Sequence, residues 1–299
     1  MSIRLSNDDW DERGNVPGFE LIELVGCRIS HSIYRAIRLA DARPVALKIF
    51  VEAEYRASAL KRFENEQRVS GLLTNSQRIE IFEIAETTQG LPVLCMELVE
   101  GQTLRSLLQA GHSFSQGEVI AVMLQVCEYL TDLHGVGFVH GDIKPANIMR
   151  VDSRIKETRA NENTTAQFQI KVLDLGVSRE INDRGSSVET TKSEDSQQLV
   201  AGSPSYMAPE LVLAPQKCNP SSDIYALGCT AYELIAGMPP FVGNNVLQVL
   251  LKHRNQTAAK FDSSRVDGEL NRLIMSCLEK KVQDRPKGAA ELLDVLPRI

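Results

Sequence analysis

The sequence predicts an α+β chain in two lobes: a small β-rich lobe with one helix, then a larger helical lobe. Three observations predict this. Before Gly101 the apolar residues alternate or run in short β-branched blocks, whereas after it they recur at helical spacing. Gly, Pro and Asp clusters punctuate the boundaries between these blocks. The 299 residues are 43% apolar and 24% charged, enough to bury a large core and unlike a disordered chain.

Residues 1–17 are polar and acidic and read as a leader ending at Pro17-Gly18. The first lobe is expected over 18–98. Its opening strand, FELIELV from Phe19, is bounded by Gly26. SIYRAIRL alternates in part, and PVALKIF is β-rich after an Asp-Ala-Arg turn. Residues 58–73 read as a helix with Leu60, Phe63, Gln67 and Ser70 on one face. Two more strands, RIEIFEIAET and PVLCMELV, flank Thr88-Gln89-Gly90.

The second lobe is expected over 99–299. Thr103 precedes LRSLLQA and Gly111 follows it, as N-cap and C′ residues do. Ser115-x-x-Glu118 is a capping-box pattern, opening a helix with Val119, Val122, Met123, Val126, Leu130 and Leu133 at core spacing. Residues 222–236 form an apolar helix stopped by Gly237 and Pro239-Pro240. Residues 269–278 and 289–296 are amphipathic. The stretches 152–167 and 182–198 are polar and aperiodic, and read as loops.

Composition excludes several classes. Lys and Arg number 33 against 39 Asp and Glu, a net charge of −6, so no basic excess marks a nucleic-acid binder. No run reaches the roughly 18 uncharged apolar residues of a membrane span, since the most apolar segment, 224–242, carries Glu233 and two prolines. The N-terminus, MSIRLSNDDWDERGN, is neither a secretory nor a transit signal. Six cysteines, at 27, 95, 127, 218, 229 and 277, include no Cys-x-x-Cys pair. That argues against a zinc or disulfide framework and for reduced thiols in the cytoplasm.

The strongest chemical signal is His140-Gly141-Asp142-Ile143-Lys144-Pro145-Ala146-Asn147. An Asp, a Lys two residues on and an Asn five residues on can converge in one loop. There the Asp can accept a hydroxyl proton, the Lys hold a phosphoryl oxygen and the Asn coordinate a metal. VLDLG follows, a short strand ending in Asp174-x-Gly. A carboxylate there suits a cation bridging phosphates, although Asp-x-Gly is also a turn sequence. Upstream, Val45-Ala46-Leu47-Lys48 sets a Lys in an apolar strand, which is costly unless its ammonium has a partner. Glu66, on the following helix, is the candidate.

Taken in order, these pieces resemble the signature set of the eukaryotic-like (Hanks-type) Ser/Thr protein kinases, in a bacterial-like version. The resemblance runs from about Phe19 to Leu296 and takes in GSPSYMAPE at 202–210, SDIYALG at 222–228 and Asp284-Arg285-Pro286. It implies the two-lobed protein-kinase fold, ATP as phosphoryl donor with Mg²⁺ or Mn²⁺, and a protein substrate with a Ser or Thr acceptor, the chain itself included. Carried over residue by residue, it implies Asp142 and Lys144 as catalytic. Gly26, Ile33, Ala46, Lys48, Glu66, Met96, Glu97 and Val99 would serve ATP, with Met96 as gatekeeper and 97–99 as the adenine-binding hinge. Asn147 and Asp174 would hold the metal. Ser203 would bond to Asp142 and Lys144, Glu210 would pair with Arg285, and Asp223 would anchor the catalytic-loop backbone. His140 reads as structural rather than as a base.

The sequence departs from the family in four places. The Gly-rich loop keeps only Gly26, with Arg28 and His31 where glycines let backbone approach phosphate. The catalytic motif is His-Gly-Asp, so the Arg that reads an activation-loop phosphate in the family is missing. Leu175 replaces the usual Phe. Ser70 stands where a larger apolar residue is usual, which is expected to seat the helix loosely. The degraded loop motivates a non-enzymatic alternative, a pseudokinase scaffold. A small-molecule phosphotransferase is a third reading, opposed by GSPSYMAPE. Regulation is expected to act through a protein partner, the leader or the polar loops.

Overall fold

The computed structural model describes residues 15–27, 31–50, 56–152, 168–175, 178–181, 203–262 and 266–299. Arg28, Trp10 and the two polar stretches beyond Asp152 and Ile181, with their Ser and Thr residues, lie outside these. The chain divides into two compact units. One comprises Met1–Leu72 with Ile79–Glu100, and the other Leu73–Arg78 with Gly101–Ile299.

In the first unit, β1 (Phe19–Cys27), β2 (His31–Arg38), β3 (Arg43–Phe50), β4 (Ile81–Glu86) and β5 (Pro92–Glu97) form one antiparallel sheet in the order β1-β2-β3-β5-β4. Strand β3 is central, paired along both edges, and residues 45–50 are buried throughout, in keeping with its near-continuous apolar run. Side chains alternate across a strand, and residues paired in register share a face. Val45, Leu47 and Ile49 therefore join their partners Tyr34, Ala36, Val93 and Cys95 in one buried core. Val16 also lies in that core, and the Thr88 N–H donates to the Asn15 carbonyl at 2.7 Å. The end of the stretch read as a leader is thus built into this unit.

Helix α1 (Arg56–Leu72) belongs to the same unit. Its buried stripe is Ala59, Phe63, Glu66, Val69 and Ser70 rather than the face centred on Leu60 and Gln67. A burial pattern that includes a glutamate needs a charged partner, and Lys48 supplies it. Ser70 is not a loose fit: its hydroxyl donates to the Ile79 carbonyl at 2.5 Å, so the small residue ties the helix by a hydrogen bond.

The second unit is mainly helical: α2 (Leu104–Gln109), α3 (Gln116–Gly135), α4 (Pro220–Ala236), α5 (Val246–Asn255), α6 (Gly268–Cys277) and α7 (Ala289–Val295). The predicted caps are present. Thr103 accepts from the Ser106 N–H, and Gly111 follows α2 with φ +84°. Ser115 and Glu118 close a reciprocal capping box of the kind worth about 1 kcal/mol. Helix α4 begins two residues earlier than its apolar pattern suggests, because Asn219 caps it and Pro220 occupies the first turn. Residues 221–234 of α4 are all buried, as an apolar helix in a core must be. Helix α3 packs on α4 and α7, and α4 on α6.

Short strands frame the loops of this unit. β6 (Gln102–Thr103), β8 (Ile148–Asp152) and β9 (Phe168–Val172) form one sheet, and β7 (Phe138–Val139) pairs with β10 (Arg179–Glu180). Leu73–Arg78 is held within this unit by Asp132 of α3, which accepts from the N–H groups of Thr74 and Asn75 and from the Asn75 amide. All six cysteines are free thiols. No helix among the described residues is long and apolar enough to cross a membrane.

Candidate functional site

Of the predicted ATP-side residues, Gly26, Ile33, Ala46, Lys48 and Met96 share one face of the sheet, while Glu97 pairs with core-facing Val45 on the other. Ala46 and Lys48 point away from the core, Ile33 and Leu94 pair with Lys48, and Met96 pairs with Ala46. Gly26 pairs with Ile33 at the end of that row. Lys48 Nζ meets Glu66 Oε2 at 3.0 Å, and the two side chains are only 9% and 5% exposed. The buried ammonium therefore has the partner its strand position demands. Glu97 ends β5, and its N–H donates to the Glu80 carbonyl at 2.8 Å. Glu97 and Val99 are half-buried. His31 is buried.

In the second unit the residues predicted for the catalytic loop converge. Strand β7 delivers the chain to His140, and a 3₁₀ turn at Pro145–Asn147 returns it into β8. Asp142 Oδ2 accepts from Lys144 Nζ at 2.5 Å and from Asn147 Nδ2 at 2.8 Å. Lys144 Nζ also meets Ser203 Oγ at 2.6 Å. Ser203 was expected to bond to both residues, but its link to Asp142 runs through the Lys144 ammonium. The Leu173 N–H donates to the Asn147 carbonyl at 2.8 Å, which ties the Asp174 strand to the loop. Asp174 has φ +66°, a left-handed backbone that costs about 1–3 kcal/mol where imposed and that clusters at functional sites.

The loop is braced from beneath by a buried carboxylate. Asp223 accepts from the N–H groups of His140 and Gly141, both at 2.8 Å, and from His134 Nε2 at 2.9 Å. Burial pushes its carboxyl pKa up, but His134, the nearby His140 and the Gly141 N–H outweigh burial and hold it below its ordinary value. His140 Nδ1 accepts from the Asp142 N–H and Nε2 faces the Leu173 carbonyl, which fixes the ring in a structural role.

Two further pairs steady the unit. All five N–H groups of Arg285 are used: two meet the Glu210 carboxylate at 3.0 and 2.7 Å, and carbonyls of Ser221, Glu279 and Lys280 share the rest. Burial raises the Glu210 pKa, yet Arg285 and Ser222 bring it below its ordinary value. The second pair was missed. Arg105 of α2 forks onto Glu233, and Tyr206 donates to the same carboxylate. Burial and that carboxylate push the Tyr206 phenol far up. A lone glutamate in an apolar helix was the available signal, since a buried charge needs a partner.

No group of three His, Cys, Asp or Glu side chains able to hold a metal occurs among the described residues. Oxygen donors limited to one carboxylate and one amide suit a cation that takes its remaining ligands from phosphate and water, as Mg²⁺ does.

Residues 19–295 match the family model described as protein kinase domain. The chain is 31% identical over 288 residues to the serine/threonine-protein kinase PknB of Mycobacterium tuberculosis, covering 94% of this chain and 42% of that protein. It is 29% identical over 287 residues to PknB of Mycolicibacterium smegmatis, with 94% and 43% covered. To the serine/threonine-protein kinase pkn3 of Myxococcus xanthus it is 30% identical over 264 residues, with 86% and 45% covered. The chain thus spans less than half the length of these relatives.

Proposed function

Because the chain belongs to the protein kinase domain family, we propose that it transfers the γ-phosphoryl group of ATP to Ser or Thr hydroxyls of proteins, itself included. The observation that carries this is the arrangement at Asp142. Lys144 and Asn147 hold Oδ2, which leaves Oδ1 to meet an acceptor hydroxyl. As the hydroxyl oxygen bonds to the γ-phosphorus, its proton passes to Asp142 and the bond to the ADP oxygen breaks. Lys144 has three N–H donors and spends two on Asp142 and Ser203, so the third is available to a γ-phosphoryl oxygen. Lys48, fixed by Glu66, neutralises the α- and β-phosphates.

The Asn147 amide oxygen and the Asp174 carboxylate would hold a divalent cation, Mg²⁺ or Mn²⁺ in its place, which would neutralise phosphate charge. Ile33, Ala46, Met96 and residues 97–99 are read as the adenine side. A Cβ at Gly26 would meet no described atom within 4 Å, and its φ is not left-handed, so the glycine is read as clearance for phosphate. Residues 18–98 and 99–299 are taken as the lobes of one kinase domain. Free cysteines support a cytoplasmic location, and control is assigned to a regulatory protein partner.

The test is transfer of labelled γ-phosphate to the protein and to a generic basic protein, with Mg²⁺ or Mn²⁺. Incorporation is expected, and its loss in both Asp142→Ala and Lys48→Met. Tight nucleotide binding without transfer would replace this reading with the scaffold.

A further inference from the structure

A histidine far from Asp142 in sequence lies under the segment that touches Lys144. Helix α5 packs on the 3₁₀ turn Pro204–Tyr206, and its buried residues are Val249 and His253, the latter with no exposed surface. The ring is fixed on two sides. Tyr225 OH lies 2.9 Å from His253 Nδ1. Phe241 meets the ring edge-on at 4.8 Å. Lys280 donates to the same Tyr225 oxygen at 3.3 Å and sits 4.3 Å over the Phe241 ring.

The Tyr225 hydroxyl and His253 Nδ1 share one hydrogen bond, so the other ring nitrogen, Nε2, faces away from Tyr225. That nitrogen is buried without a partner in hydrogen-bond geometry among the described residues. The polar group acting on the ring from the turn is the Ser205 backbone. Burial and the Lys280 charge keep the ring neutral, so it works by hydrogen bonding and shape rather than by charge.

We propose that His253 is a positioning residue for phosphoryl transfer: anchored by Tyr225, it supports the turn at 203–206 from below and so holds Ser203 against Lys144, beside Asp142. The turn is short, and its own internal bond is Tyr206 N–H to the Ser203 carbonyl at 2.9 Å. Its sequence, Ser-Pro-Ser-Tyr, offers little apolar bulk apart from Tyr206, which Glu233 already holds. His253 is the buried polar residue of α5, the helix packed against this turn. Losing that support should loosen the acceptor side of the reaction and leave the ATP side unchanged.

This inference rests on the kinase reading, and two readouts separate them. In His253→Leu and in Tyr225→Phe, kcat/KM for a protein acceptor should fall about tenfold, while KM for ATP stays within about twofold. His253→Asn, whose amide oxygen can accept from Tyr225, should recover part of the loss. The second readout needs no activity: amide hydrogen exchange at 203–206 should quicken about tenfold in both loss variants, with exchange in α3 unchanged. If His253→Leu fails to fold, Tyr225→Phe carries the test. An inactive wild type would sink the kinase reading alone, and exchange would still decide on His253. Unaltered exchange at 203–206, or equal losses for acceptor and ATP, would overturn the proposal.

Discussion

The Gly141 N–H donates to the Asp223 carboxylate at 2.8 Å from a backbone with φ +77°. Any side chain at 141 must therefore enter the left-handed region, at a cost of about 1–2 kcal/mol. Gly141→Ala and Gly141→Arg should both lower the free energy of unfolding by about that amount, measured in urea. A midpoint equal to wild type would mean that the loop reaches Asp223 by another backbone path.

Asp223 itself should shape the acid limb of stability. Its folded pKa lies below its unfolded value of about 3.9, so its contribution is complete above that pH and fades as pH falls through the folded value. Asp223→Asn should be less stable at neutral pH and lose less on further acidification. Thermal melts from neutral pH down to about pH 3 would expose a failure as parallel curves.

Removing one partner of the Lys48–Glu66 pair takes a 3.0 Å charge-assisted hydrogen bond from the other in a buried site, at about 1.5–3 kcal/mol. Lys48→Met and Glu66→Leu should each show this loss by calorimetry. The double variant should regain much of the stability but none of the phosphoryl transfer. Activity in the double variant would mean that this lysine does not serve ATP.

Ser70→Leu removes the donor to the Ile79 carbonyl and forces bulk into a site that is 1% exposed. A loss of about 1–3 kcal/mol is expected, with no rise in transfer rate. A faster enzyme of unchanged stability would restore the view that this helix is loosely seated.

His253 makes stability depend on mildly acid pH. Burial, then the Lys280 charge, pushes its pKa down to about 3, against an ordinary value of 6.5. Between these the unfolded chain binds a proton that the folded chain refuses. Stability is therefore full above about pH 6.5 and falls below it by up to about 1.4 kcal/mol per pH unit. His253→Gln should remove that slope in a urea series, and an unchanged slope would assign it elsewhere.

Local codes were the legible part of the fold. Ser115-x-x-Glu118, Thr103 and Gly237 act within one helical turn, so each appears in the sequence as it does in the structure. The start of α4 was misjudged because its apolar period begins after the Asn219 cap. The α1 stripe was misjudged because it includes Glu66, whose burial depends on Lys48 from a strand rather than on the helix's own apolar period. In the site, Asp142, Lys144 and Asn147 sit within one motif and were readable. His134 on Asp223, Arg105 on Glu233 and His253 on Tyr225 join residues 89, 128 and 28 positions apart. No local pattern encodes such pairings, which only tertiary packing creates.

The alternation along β3 makes folding and chemistry in the first unit hard to separate. Val45, Leu47 and Ile49 fill the core, while the two residues between them form part of the opposite face. A one-residue insertion or deletion before Val45 that slipped β3 by one residue against its neighbours would swap the two sets, driving an ammonium into hydrocarbon and exposing three apolar side chains. Two-residue changes would keep the parity. Length variation tolerated at the β2–β3 turn should therefore come in even steps, and a library of turn lengths scored only for soluble expression should reproduce that rhythm without any assay of catalysis.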